Sequence, residues 1–416
     1  MKFIYPLPRN AIYCNWLILD VFPDMHEICT DCSDVNYIKK DSKMKVNNII
    51  ITLIILVFTS CKSTDIANSP SAVTNLGLGG KESLLLSSIF EFEGWIKLEA
   101  NKESMLTRVN KVEVTNDAIY ILDGGPHAKL CKFDKEGHYI CNIGNRGAGR
   151  GEFTDCNDFT IDQKTGNILI LNNGSKIIVY DKMGKFLYSK SLDVFRSTQI
   201  KATKDGIFTY NDCLFFDPKE DNYHIYEFDE DLKKTNNWLK TDEPGTLSMV
   251  CPVFQNNGEK LYCIDDVNNC IYMYDNKTKE FVKYIDLLLQ NPCPVDVRVN
   301  INKFREVIGK VDCITRLAIG EEAAVVYYDS PNIPGIKVST IELKNGRILQ
   351  EGLSMTLPDY LSIVDKNIVY AVYSPENLCG SNILRLYPKE HQIDSEIDSE
   401  SNFVIAKLRM KSFDKK

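Results

Sequence analysis

The stretch AIYILDGGPHAKLCKFDKEGHYICNIG, from Ala118 to Gly144, returns in altered form as NILILNNGSKIIVYDKMGKFLYSKSL, from Asn167 to Leu192. Each copy reads as an apolar strand, a short polar turn, a second apolar strand closed by an aromatic residue and Asp, a Lys/Gly turn and a third strand. The apolar residues come in short β-branched and aromatic bursts bounded by Asn, Asp and Gly, a strand signature without helical spacing. One β-meander is written twice.

The aromatic-Asp pair carries the beat further along the chain. Phe133-Asp134, Tyr180-Asp181, Phe228-Asp229 and Tyr274-Asp275 are separated by 47, 48 and 46 residues. A period of about 40 to 50 residues is that of a four-stranded propeller blade. Working outward, blades are expected at about 108–143, 153–192, 198–239, 250–286 and 311–349. A sixth runs from 354 to 410 together with a strand near Phe92–Leu98. The expected fold is all-β: a six-bladed β-propeller of four-stranded antiparallel blades. FVIAKLRM, from Phe403 to Met410, pairs with the N-terminal strand to close the ring, because closure removes exposed edges. Six is the preferred number, and seven is the alternative if residues 287–310, which read more like a loop and a short helix, hide strands.

The 416 residues, 44% hydrophobic, suffice for a large core, which a closed ring absorbs as one domain. A formal charge of −8 and the absence of a basic stripe argue against a nucleic-acid partner. Of fourteen cysteines, the ten from Cys131 to Cys379 are scattered through different blades and read mostly as small core hydrophobes. Cys131 and Cys141 lie on neighbouring strands, but sequence does not assign a pairing.

Residues 44–61, MKVNNIIITLIILVFTSC, have the layout of a bacterial export signal: a Lys near the start, an apolar run from Ile49 to Phe58, then small residues before Cys61. The run is too short to span a bilayer of about 30 Å. Phe58-Thr59-Ser60-Cys61 resembles a lipobox, which makes Cys61 the expected lipidation site and the membrane a partner through an N-terminal lipid anchor. Met44 then stands where a signal would begin, and residues 1–43 read as a non-native upstream extension or a disordered segment. Their Cys29-x-x-Cys32 pair lacks a second Cys/His pair at zinc spacing. Residues 62–82, rich in small and polar types, read as a flexible tether, and residues 83–416 as the propeller.

The lead-in IFEFEGWIKLE, the unit IYILD…KFDKEGHYICNIG, the linker GNRGAGRGEF, the closing SNFVIAKLRM and the lipobox-like Cys61 together resemble the NHL-related six-bladed β-propeller lipoproteins of Bacteroides and relatives, an uncharacterised family. The resemblance covers about Ser83 to Met410. It departs at Arg150, where the family often has Pro in Gly-Pro-Gly-Glu, and at Phe403, where Pro is frequent. It implies a fold and an envelope location, on the outer membrane facing the periplasm or the surface, and transfers no catalytic residue.

Chemistry-bearing motifs are sparse. The glycine-rich linker is followed by strand, not by the helix a phosphate loop needs, so it reads as a blade crossing, with Arg146 and Arg150 as candidate ligand contacts. The five histidines are scattered and do not form a base–acid pair; His127 and His138 read as surface residues. The repeated Asp134, Asp181, Asp229 and Asp275 read as turn caps. Aromatic-rich 213–217 and 326–329 read as packing between blades. No catalytic residue, metal site or cofactor is expected. The preferred function is a non-catalytic envelope lipoprotein that binds a protein, peptide or glycan. The alternative is an NHL-like lyase or hydrolase with its site at the central channel mouth.

Overall fold

A computed structural model of the chain describes residues 71–413, apart from 78–81, 125–127, 195, 213–218, 220, 242–249, 251, 267, 299–302, 304–305, 308, 332–334, 355–356, 380–396 and 399. Cys61, His26, His127, His391, the 213–217 segment and the proposed signal lie outside the described residues.

Six four-stranded antiparallel sheets form a six-bladed β-propeller. Blade 1 consists of Val109–Val114, Ile119–Asp123, Lys129–Phe133 and Tyr139–Asn142. Blade 2 consists of Cys156–Ile161, Ile168–Asn172, Lys176–Tyr180 and Phe186–Ser191. Blade 3 follows with Gln199–Ala202, Ile207–Tyr210, Asn222–Phe228 and Lys234–Thr241. Blade 4 holds Phe254–Asn257, Lys260–Asp265, Cys270–Asp275 and Glu280–Leu288, and blade 5 holds Cys313–Ile319, Ala323–Asp329, Ile336–Glu342 and Ile348–Ser354. Blade 6 takes Tyr360–Asp365, Ile368–Tyr373 and Val404–Met410 from the C-terminal side and Phe90–Lys97 from the N-terminal side. Closure by both ends is as the sequence predicts. The stretch after blade 4 contributes a short helix, Val295–Arg298.

The propeller follows from strands that are apolar on both faces. In blade 1, Ile119 and Ile121 pack against blade 6, beside Tyr370 and Val372, while the alternate Tyr120 and Leu122 pack against Phe159, Ile168 and Ile170 of blade 2. In blade 5, Ala323, Val325 and Tyr327 meet blade 6, and Ala324, Val326 and Tyr328 meet blade 4. Side chains alternate across a strand, so a continuous apolar run feeds two interfaces at once. The buried Tyr327 and Tyr328 bear out the reading of their segment as packing.

The four aromatic-Asp pairs do what their repetition suggests. Each aromatic ends a third strand in the core, and each Asp accepts backbone N–H groups from the turn that follows. Asp134 Oδ1 takes those of Glu136 and His138 at 3.0 and 2.8 Å, and Asp181 Oδ1 takes those of Met183 and Lys185 at 2.9 Å. Asp229 and Asp275 do the same for Lys233 and Lys277. Cys131 lies opposite Asn142 and Cys141 opposite Lys132, and both are free thiols; burial pushes Cys131 up to about 12.

One expectation is corrected. Composition assigns residues 62–82 to a tether, yet Ala72–Asn75 form a strand parallel to the outermost strand of blade 4, with Thr74 opposite Leu287. Thr74 Oγ1 donates to the Gly346 carbonyl of blade 5 at 2.6 Å, and Leu76 is fully buried. The chain next bonds to Leu353 through Glu82 and Leu84, then enters blade 6. It forms a belt around the outside of blades 4, 5 and 6. Gly352 makes room for it, since a Cβ there would lie 2.7 Å from Leu84 and 2.8 Å from the Glu82 carbonyl. Small polar residues read as tether because strand propensity is low and the binding groups are backbone N–H and C=O, which every residue carries.

Candidate functional site

The innermost strands of the six blades surround the axis, and polar side chains on them stitch each blade to the next. From blade 1, Lys111 Nζ donates to Asp158 Oδ2 at 2.8 Å and to the Ile200 carbonyl at 2.9 Å, while Glu113 Oε2 accepts the Ile161 N–H. From blade 2, Asp158 and Thr160 accept the Ile200 and Ala202 N–H groups of blade 3. Gln199 accepts from Val253 of blade 4, and Gln255 accepts from Ile319 and donates to Leu317 of blade 5. Arg316 donates to the Asp359 carbonyl at the start of blade 6, and Ser362 to the Val112 carbonyl of blade 1. Inner strands that read as alternating polar and apolar, such as VNKVEV and CNDFTI, therefore point their polar residues at the neighbouring blade.

Four charges form the centre of this network. Lys201 Nζ lies 2.9 Å from Glu113 Oε1, and Lys111 Nζ lies 3.6 Å from the same oxygen and 2.8 Å from Asp158. Burial alone would raise Glu113, but the ammonium groups of Lys201 and Lys111 and the Ile161 N–H outweigh it and hold the carboxyl below the usual range. For Asp158 burial is the stronger effect and pushes the carboxyl up against the pull of Lys111.

Over this floor opens a cavity of about 740 Å³. It lies at the end of the ring where the first-to-second and third-to-fourth strand turns gather. Blade 1 contributes Lys111, Glu113, the turn Thr115-Asn116-Asp117, Tyr120 and Lys135; blade 2 contributes Asp162, Gln163 and Lys182. Lys201 comes from blade 3, Phe254 and Asn256 from blade 4, and Tyr360, Ser362, Asp365, Tyr370 and Lys407 from blade 6. Ammonium, carboxylate, amide and hydroxyl groups thus face one space, held by strands fixed on both sides.

Arg146 and Arg150 are not among its walls. They sit on the linker that leaves the fourth strand of blade 1, and both are exposed. The Arg150 guanidinium lies over the Phe186 ring at 5.7 Å, and the linker closes on itself through a two-residue pairing of Asn145–Arg146 with Glu152–Phe153. Gly151, at φ +77°, touches the same ring, where a Cβ would come within 2.7 Å. The linker is a packed blade crossing, as its lack of a following helix indicates. The described histidines lie elsewhere. His138 is exposed and raised by Asp134 at 2.8 Å, and His224 stacks on Tyr210 and bonds the Asn211 carbonyl. Among the described residues no cluster of three or more His, Cys, Asp or Glu could hold a metal ion, and no helix is long and apolar enough to cross a membrane.

The cavity residues escaped the sequence reading because each blade supplies only one to several of them. The one available signal was spacing: Lys111 and Asp158 are 47 residues apart, the same interval as the aromatic-Asp beat.

Solved structures share the architecture. A Bacteroides fragilis protein described as a candidate exported protein superposes with a TM-score of 0.65 at 16% identity, over 82% of this chain and 99% of its own. A DUF4221-family member from Bacteroides vulgatus superposes with a TM-score of 0.51 at 9% identity, over 77% of this chain and 98% of its own. At such identities the likeness is one of fold. No curated protein matches the sequence. The model of the domain of unknown function DUF4934 matches residues 73–409, from the belt strand to the closing strand, and the chain belongs to that family.

Proposed function

We propose that this chain is a non-catalytic, exported ring that binds a polar ligand, a glycan or peptide, in the axial cavity. The observation that carries the reading is the cavity itself: about 740 Å³, walled by five blades, with hydrogen-bonding groups of every kind on rigid strands. The four floor charges engage one another and the backbone, which suits a fixed recognition surface. Display from the cell envelope through acylated Cys61, in the manner of NHL-related lipoproteins, is part of the same proposal and is motivated by the apolar run and Thr59-Ser60-Cys61. Feeding cells a fatty-acid analogue should label the wild-type chain and leave Cys61→Ala unlabelled.

The cavity reading is tested with glycan and peptide arrays probed by the wild-type chain and by the double variant Asn116→Trp/Gln163→Trp. Both positions are exposed on the cavity rim, so bulky residues there obstruct the mouth and leave the blades intact. Array binding should be lost in the double variant. Binding that survives the obstruction overturns the axial assignment. The competing enzyme reading draws on the convergence of Glu113, Asp158, Lys111 and Lys201 from three blades. It predicts that array hits are cleaved, and that Glu113→Gln abolishes the cleavage.

A further inference from the structure

The notch between blades 6 and 1, on the cavity wall, brings two lysines together beside Tyr370. Tyr370 lies on the second strand of blade 6, paired in register with Lys407 on the third. From blade 1, Lys135 reaches over the Tyr370 ring, with Nζ 5.8 Å from its centroid, and donates to the Thr115 carbonyl at 3.1 Å. No carboxylate among the described residues pairs with the Lys135 ammonium. Lys407 has one partner, Glu93 at 2.9 Å, and Glu93 is shared with Arg409. Burial, followed by the nearby charge of Lys407, holds Lys135 below the usual lysine range. Asp117 and Glu136 also lie near Lys135, and their charges pull its ammonium the other way, but less strongly than burial and Lys407 do. A half-buried ammonium beside a second ammonium is an arrangement that an arriving anion relieves.

We propose that Lys135 and Lys407 form an anion subsite of the axial cavity, which receives a carboxylate or sulfate group of the ligand. The subsite rests on the reading of the cavity as the ligand site and names the chemistry it selects. Lys135 supplies a charge-assisted hydrogen bond with its remaining N–H groups, Tyr370 holds its stem in place, and Lys407 adds the second charge. The anion replaces water at an ammonium that already lacks a full hydration shell.

The test is lysine acetylation footprinting of the exported protein by mass spectrometry, with galacturonate, sodium sulfate or galactose added at constant ionic strength. Exposed Lys344 serves as the internal reference. Galacturonate or sulfate should slow modification of Lys135 and Lys407 relative to Lys344, and galactose should not. Protection by galacturonate alone identifies a sugar acid as the source of the anion, and protection by sulfate alone identifies a free or esterified oxyanion. Lys135→Met should weaken the protecting probe by about tenfold, the loss of one charge-assisted hydrogen bond, and Lys135→Arg should retain it. Equal protection by galactose overturns the charge selection and leaves the cavity reading standing. No protection by any probe, in a protein whose array binding is still lost on obstructing the rim, overturns the subsite alone. Array binding that survives obstruction removes the cavity reading beneath it.

Discussion

Blades 1 to 3 are joined at the axis by a cluster of charges, whereas blades 4 to 6, linked there by neutral and single-charge hydrogen bonds, are also bound on the outside. At the axis, Lys111, Glu113, Asp158 and Lys201 tie the first three inner strands together with buried charges. At the opposite side of the ring, residues 72–77 lie along the outer strand of blade 4, and residues 82–97 pair with the outer strand of blade 5 and become the outer strand of blade 6. The outer strands of blades 1 and 2 stay bare, with Ile140, Leu187 and Tyr188 40–49% exposed. One ring is thus held by two devices of different reach. Lys111 and Asp158 are one blade apart, but the belt joins residues such as Thr74 and Gly346, 272 positions apart, and its closure has to wait for the whole chain.

The sharpest way to break this comparison is to remove the belt. Deleting residues 72–97 takes away Leu76, Leu86, Ile89 and Phe90, all buried, and uncovers the closing strand Val404–Met410. Such a chain should lose cooperative thermal unfolding and aggregate, because an exposed apolar edge strand pairs with other chains. A monomeric deletion variant with an unchanged transition would show that the belt is ornament.

Next in size is the inner tie. Lys111→Met leaves the Asp158 carboxylate buried without its ammonium and should cost about 3–5 kcal/mol in urea unfolding at neutral pH. The pH dependence has a definite sign. Burial already raises Asp158 in the folded state, and losing Lys111 raises it further. The unfolded chain then gives up this proton first, so the contribution of Asp158 is favourable below about pH 4 and is lost as pH rises through the folded value. The deficit of Lys111→Met should therefore be smallest in acid and grow towards neutrality, and Lys111→Met/Asp158→Asn should recover most of it. A deficit independent of pH would mean that Lys111 acts through packing alone.

On the belted side, Gly352→Val places a side chain against Leu84 and the Glu82 backbone, and should cost about 1–3 kcal/mol by overpacking. The smallest effect belongs to the bare edges. Leu187→Ser and Tyr188→Ser replace exposed side chains on the outermost strand of blade 2 and should change stability by no more than about 0.5 kcal/mol. A larger loss there would mean that the outer strands of the first half are covered as those of the second half are.

The same division explains what the sequence disclosed. In blades 1 to 4 the third and fourth strands are joined by a tight turn, and an Asp whose oxygen accepts the turn N–H groups leaves a periodic mark. Blade 5 keeps the turn but enters it with Ile341-Glu342, and blade 6 has no such turn because its outer strand comes from the N-terminal side, so the beat stops while the architecture continues. The closing strand FVIAKLRM was legible because its apolar residues require cover. The belt strand was not, because Ala72-Val73-Thr74-Asn75 binds through backbone groups and carries little apolar pattern. The cavity was illegible for a further reason. Lys135 follows a turn Asp, and Lys407 sits in an apolar strand, so neither differs locally from a solvated lysine until the ring brings both to Tyr370.

The central claim is that function resides at the axis and not on the bare outer strands. Hydrogen–deuterium exchange of the intact chain, with and without the compound giving the strongest array response, tests it most directly. Protection should concentrate in residues 111–117, 161–166 and 360–365, the inner strands and turns that wall the cavity. Protection of the outer strands instead, at 139–142, 186–191 and 234–241, with the axial segments unchanged, would contradict the account.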